Sequence, residues 1–421
     1  MNLLIKSAKI IDTNSPHNGK VMDILIKNNR ILNISKSINS EKVKIFKAKN
    51  LHISPGWFDM HVNFAEPGYE QRETIRSGTN AAKKGGYTSV MTMPNTNPSI
   101  DNKGMIEFIK IKQQENIIDI YPAGNLTLGQ EGNEIVEMHD MKITGCVAFT
   151  DDKKTIQRSD VMKIAMLYSK DCNGLIMNYP NDQIVSDNGC VNEGVISTKL
   201  GLKGIPSLAE EIMLDRDLSL CEYTKSKLHV SYISTNNSVT KIKNAKSKGL
   251  DVTSDVTIYN LFLTDEKIND FDTRYKVIPP LRTIKDNKSL IKGLQNGTID
   301  VITCDHTPID EENKKIEFDN AAFGIIGLET SFGLIGKYLS KHLNISEIIE
   351  KISINPRKIL GLKTVKIMEG EKANMTLFDP TLKWTFKQDD IKSKSKNTPF
   401  VNHEMKGKAL AIFNNGKFEE C

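Results

Sequence analysis

The distribution of apolar residues along the 421-residue chain changes character twice. Over residues 1–54, short runs that alternate apolar and polar positions, such as Asn2 to Lys9, Met22 to Lys27 and Arg30 to Ser35, are separated by Asn-rich turns. This is the period of half-buried β-strands in a small module. From Gly56 onward the runs become apolar and rich in β-branched residues, and each is followed by enough chain for a helix. Eight such runs are present: Gly56 to Val62, Tyr87 to Pro94, Ile117 to Ala123, Gly145 to Asp151, Gly174 to Tyr179, Leu228 to Ser234, Leu250 to Thr257, and Ile299 to His306. Strands alternating with helices build right-handed βα units on a parallel sheet, and eight units close a barrel. After Leu362 short strands return, Ala373 to Phe378 and Ala409 to Phe413. The expected fold class is therefore α/β: a (β/α)8 TIM barrel over 55–361, with a small composite β-sandwich shared by 1–54 and 362–421.

Composition narrows the function classes. Hydrophobic residues make up 38% of the chain and no apolar run reaches the length of a membrane span, so a membrane protein is not expected. The net charge of +5 arises from 57 basic and 52 acidic residues that are interspersed, with no basic tract for nucleic acid. The cysteines at 146, 172, 190, 221, 304 and 421 are scattered singly, and the first residues, MNLLIKSAKI, lack a signal-peptide pattern. A reduced, cytoplasmic protein without structural zinc is the expectation.

In a barrel of this kind, polar residues at the C-terminal ends of the strands converge on one site. Those ends carry His61 and Asn63, Asn95, Asp151 with Asp152, Asn178, Tyr232, and Asp305 with His306. His61 and Asn63 lie two apart on an extended segment and face the same way, the arrangement by which a strand offers two ligands to one metal. Only the imidazole is a good ligand, because a carboxamide oxygen competes poorly for zinc. Cys304 reads as a small buried strand residue, since the only nearby histidine is His306. His17, His52, His139, His342 and His403 lie away from the strand ends and read as surface or structural residues.

Several segments together carry a family resemblance: SPGWFDMHVNFAEPGYEQRETIRSGTNAAKKGGYTSVMTMPNTNP, FTDD, NEGVISTKLGLKGIPSLAEE, IPPLR, CDHTP, FGIIGLET, NPRKILGL and SKSKNTPF. In this order they resemble the dihydroorotases of the amidohydrolase superfamily across nearly the whole chain. The resemblance implies the amidohydrolase type of barrel. It also implies a zinc-dependent, reversible ring closure of N-carbamoyl-aspartate to dihydroorotate in pyrimidine biosynthesis. Of the ligand positions it implies, His61, Asp151 and Asp305 match, whereas Asn63, Asn178 and Tyr232 replace expected histidines. On the substrate side, Ala65, Ile278 and Ile309 replace an arginine, an asparagine and a histidine, and Asn95 is retained. Losing an arginine clamp alone removes a charge-assisted contact worth roughly 1.5 to 3 kcal/mol.

These departures lead to the expectation of a dihydroorotase-like protein that is catalytically inactive, with no cofactor. It would act as a structural subunit, and the family supplies aspartate transcarbamoylase as the partner; a homo-oligomer is compatible with the same reading. The alternative is an active dihydroorotase, or a related cyclic-amide hydrolase, with a reduced mononuclear metal site at His61, Asp151 and Asp305. In that case zinc would be the metal and Asp305 the general base. A third reading is a small-molecule binding module with Asn95 and Asn178 as polar contacts.

Overall fold

The computed structural model describes residues 2–40, 43–114 and 116–421. Each apolar run read from the sequence contributes one stave of a parallel barrel: Trp57–Val62, Tyr87–Thr92, Asp119–Pro122, 147–150, Ile176–Asn178, Leu228–Val230, Val252–Thr257 and Val301–Thr303. The fourth stave is the least regular. Phe149 bridges to Gly124 on one side and Ile176 on the other, and it is tied by Phe149 N donating to Leu175 O at 2.9 Å and Met177 N donating to Phe149 O at 2.9 Å. The ring closes where Val62 bridges His306 in parallel and Asn63 N donates to His306 O at 2.8 Å.

Local sequence explains how a helix feeds a stave. Thr74 caps the helix Ile75–Gly85 by accepting from Ser77 N, with the Ser77 hydroxyl accepting in return from Thr74 N at 3.0 Å. The helix ends at Gly86, whose φ of 87° is in the left-handed region that glycine reaches without a Cβ penalty, and Tyr87 begins the next stave at once. A Cβ on Gly86 would lie 2.4 Å from the Ala409 Cβ, so this glycine also lets the barrel approach the terminal sheet.

Inside the barrel, Phe58, Met60, Met91, Met93, Ala148, Met177 and Val301 form a Met-rich apolar plug. Burying each of the larger side chains contributes about 1.5–3 kcal/mol. At the N-terminal end of the staves Arg357, fully buried, donates to Gly56 O at 2.6 Å and Ser353 O at 2.9 Å. That contact gives the NPRK motif a structural role, and burial lowers the guanidinium to about 10. Arg282 of the PPLR motif has a similar role higher up. It donates to Ile205 O at 2.7 Å and Asn192 Oδ1 at 2.9 Å.

The two chain ends meet in one eight-stranded mixed sheet. His52–Pro55 pairs antiparallel with Met375–Thr385 and parallel with Leu3–Ile10. Leu3–Ile10 bends at Ser7, pairing first with Lys44–Phe46 and then with His52–Pro55. The strands from both ends therefore build the composite β module expected from the sequence, joined as one continuous sheet, and its apolar face holds Ile5, Ile24, Ile53, Met375 and Phe413. No helix of the described residues is long and apolar enough to cross a membrane.

Candidate active site

The mouth of the barrel is marked first by its backbone. Ala65, Asp152, Tyr232 and Asp305 all have positive φ, between 47° and 59°, at or just beyond the ends of the first, fourth, sixth and eighth staves. Such conformations are uncommon for residues with a Cβ and persist where the surroundings enforce them.

Below this rim, three side chains converge from inside the staves. His61 Nε2 lies 2.5 Å from Asp255 Oδ2, and His229 Nε2 lies 2.8 Å from the same oxygen. The other Asp255 oxygen accepts from Tyr232 N at 2.8 Å. All three side chains are buried, and their ligand atoms lie within 4.8 Å of one another. Two imidazole nitrogens and one carboxylate form a donor set suited to a catalytic metal. The outer side of the cluster is ordered too, because His229 Nδ1 shares a 2.8 Å hydrogen bond with Thr253 Oγ1, which orients the ring as a metal ligand needs. His61 Nδ1 is buried with no hydrogen-bond partner among the described residues. Burial pushes the Asp255 carboxyl up, but the adjoining His61 and His229 imidazoles more than reverse this and hold it well below the ordinary range. For His61, burial opposes protonation and Asp255 overcomes it, so its pKa rises.

Of the ligands nominated from sequence, only His61 enters this cluster. Asp151 is occupied with backbone, accepting from Leu126 N at 2.8 Å and Thr127 N at 3.0 Å. Its neighbour Asp152 faces the mouth, where it accepts from the Tyr232 hydroxyl at 3.1 Å and from the Asn95 amide. Asp305 is held by Lys153, whose Nζ lies 2.7 and 2.8 Å from the two carboxylate oxygens, and by the Tyr259 hydroxyl at 2.6 Å. Burial raises the Asp305 carboxyl and Lys153 opposes the rise. Asn63 donates to Thr307 Oγ1 at 3.3 Å and accepts from Asn95, while Asn178 is drawn to Asp217 at 2.6 Å. Tyr232 covers the cluster, its ring 4.2 Å from that of His61. Cys304 is buried, and burial and then Asp59 push its thiol far up.

Sequence reasoning missed His229 and Asp255 because it weighed the strand ends alone. The available signal was an ionisable residue in the middle of a barrel strand with no other charged residue, LHV and VTSDVT. Only inward-facing chemistry makes such a position tolerable. A cavity of about 780 Å³ lies beside the mouth, lined in part by Ile309, Lys314, Lys394 and Asn397, but by none of the three cluster residues. One of its lining residues, Asn397, donates to Thr307 O at 3.0 Å.

Comparison with known proteins places these features. A family model described as dihydro-orotase-like matches residues 51–238. A protein named dihydroorotase from Thermoanaerobacter sp. (strain X514) is 43% identical over 410 residues, covering 97% of this chain and 94% of the relative. Another of that name, from Acetivibrio thermocellus, is 40% identical over 417 residues, covering 98% of each. Among solved structures, an L-hydantoinase (dihydropyrimidinase) from Arthrobacter aurescens aligns with a TM-score of 0.87 at 20% identity, over 99% of this chain and 95% of that one. A D-hydantoinase aligns at 0.85 and 21% over the same shares. At these identities the two structures speak for the fold alone, a TIM barrel with an added terminal sheet.

The expectation of a catalytically inactive structural subunit is thereby corrected. Relatives named for the enzyme match at 40% identity or more over almost the full chain, and a buried His–His–Asp cluster is assembled. The loss of three histidines at strand ends pointed the other way because donors within the staves were not counted. The cluster likewise favours a metal cofactor over none.

Proposed function

The chain belongs to the dihydroorotase family, and from that premise we propose that it is a working dihydroorotase with a reduced, single-metal centre. The observation that carries the proposal is the His61–His229–Asp255 cluster, buried below the barrel mouth of a chain 43% identical to a protein named dihydroorotase. The reaction is the reversible closure of N-carbamoyl-aspartate to dihydroorotate. We take zinc as the metal, since two imidazoles and a carboxylate suit it. When bound, it would supply Lewis-acid polarisation of the amide carbonyl and lower the pKa of water at the site.

The remaining work falls to side chains of the mouth. Asp305, its carboxyl raised by burial, takes and returns the proton moved between water and the ring nitrogen. Asn95, whose amide already joins Asn63, Asp152 and Gln130, offers hydrogen bonds to a substrate carboxylate or carbonyl. Asp151 supports this edge by fixing the backbone at Leu126 and Thr127. Residues 1–54 and 362–421 act as one unit bracing a barrel over 55–361. Assembly with aspartate transcarbamoylase, or with a second copy of the chain, is compatible with a working enzyme and is tested by co-purification and by the mass of the protein in solution.

The deciding experiment measures metal content and dihydroorotate hydrolysis on the same preparation, for the natural protein and for His229→Ala. Turnover that tracks bound metal and is lost in His229→Ala is expected. A metal-loaded protein with no turnover in either direction overturns the proposal.

A further inference from the structure

Resting on the single-metal reading above, we propose that the Lys153 ammonium is the resident cation of the outer half of the barrel mouth, where it holds the Asp305 carboxylate and keeps a second metal ion out. A buried carboxylate requires a positive partner, since its desolvation otherwise costs several kcal/mol. Asp305 is buried, and the ammonium meets both of its oxygens at nearly equal distance, 2.7 and 2.8 Å, as a chelated cation would.

The other oxygens nearby are arranged around the same point. The Tyr259 hydroxyl donates to Asp305 Oδ2 at 2.6 Å, Thr307 Oγ1 donates to Oδ1 at 3.2 Å, and Thr307 Oγ1 is 3.5 Å from Lys153 Nζ. Lys153 reaches this position because the preceding residue, Asp152, has a φ of 49°, which turns the chain into the mouth. Its stem is covered, with 16% of the side chain exposed, and the ammonium lies 5.1 Å from the centre of the Tyr232 ring. The cation–π contact adds to the charge pair. With carboxylate, phenol and hydroxyl groups already satisfied by an ammonium, a divalent ion would have to displace a tethered cation. Among the described residues no lysine partners the inner cluster of His61, His229 and Asp255, so a tethered cation competes for the outer position and not for the inner one.

The test is thermal denaturation of metal-stripped protein during titration with Mn²⁺ and separately with Zn²⁺. An ion that binds only the folded state raises the melting temperature as its concentration exceeds Kd. Lys153→Ala is expected to gain an ion-dependent rise beyond that of the natural protein. Lys153→Arg, which keeps the charge, should not gain it, and Lys153→Ala combined with Asp305→Asn should lose it. A Lys153→Ala protein that responds to both ions no more than the natural protein overturns the proposal. If Lys153→Ala does not fold, Lys153→Gln is read in the same way. The natural protein's own response judges the single-metal reading separately: no response there removes that reading, while the difference between variant and natural protein still decides the role of Lys153.

Discussion

Replacing Asp255 by Asn tests the centre most directly, because one carboxylate there serves both histidines and a backbone amide. It accepts from His61 and His229 at 2.5 and 2.8 Å and from Tyr232 N at 2.8 Å. Removing one partner of a buried charge pair costs about 3–5 kcal/mol. Asn keeps the volume and can still accept from Tyr232 N, which places Asp255→Asn near the lower end. At roughly 2.1 cal/mol/K of unfolding entropy per residue, a cooperative chain of 421 residues loses about 3–6 °C in melting temperature. The pH dependence gives a sharper signature. His61 has a folded pKa above its ordinary 6.5, so its pairing with Asp255 stabilises fully below that value and fades as pH rises through the folded pKa. Metal competes with the same proton, so affinity for metal should grow over that rise. Asp255→Asn should abolish both the slope and the metal affinity, as followed by melting curves from pH 5 to 9 with and without Zn²⁺. An Asp255→Asn protein with the natural melting temperature, slope and metal affinity would refute the assignment of this cluster.

Other expected outcomes follow from single contacts. Lys314 donates to Ala322 O at 2.7 Å and Lys276 O at 3.1 Å; burial, with Lys276 beside it, lowers its ammonium to about 7. Its desolvation penalty is full below pH 7 and is relieved as pH rises toward 10.5, with a limiting slope of about 1.4 kcal/mol per pH unit, so Lys314→Met should flatten that part of the stability profile in urea titrations. An unchanged slope counts against the buried-lysine account. Since the Tyr232 ring covers His61, Tyr232→Ala should take up metal faster than the natural protein in stopped-flow mixing; equal rates would mean that access runs elsewhere. A Cβ at Gly336 would lie 1.9 Å from Lys406 O, so Gly336→Ala should destabilise by about 1–3 kcal/mol through the contact between the helix Ser331–Tyr338 and the strand Glu404–Asn414, read from urea midpoints.

The barrel was legible because its signal is repeated. Each stave is an apolar run next to a helix-length segment, and an error in one run, such as the irregular 147–150, leaves the count intact. The terminal module was less so: periodicity shows that Leu3–Ile10 is a strand but not that it bends at Ser7 and serves two parallel neighbours, which depends on long-range pairing. The site was read least well, for a physical reason. Position along a stave fixes whether a side chain reaches the mouth, yet one residue's shift at a turn decides which of two adjacent carboxylates does so. The sequence pointed to Asp151 as the ligand, but the turn at Asp152, with its φ of 49°, sends Asp152 toward Tyr232 and leaves Asp151 to the backbone of Leu126. The same turn brings Lys153 onto Asp305. An ammonium in that place alters the meaning of the missing histidines. Neutral Asn63, Asn178 and Tyr232 would leave the Asp305 carboxylate uncompensated at the barrel mouth, whereas Lys153 compensates it without their help. The chemistry then concentrates one layer deeper, on His229 and Asp255 of neighbouring staves and on His61, which meets Asp255 from across the barrel.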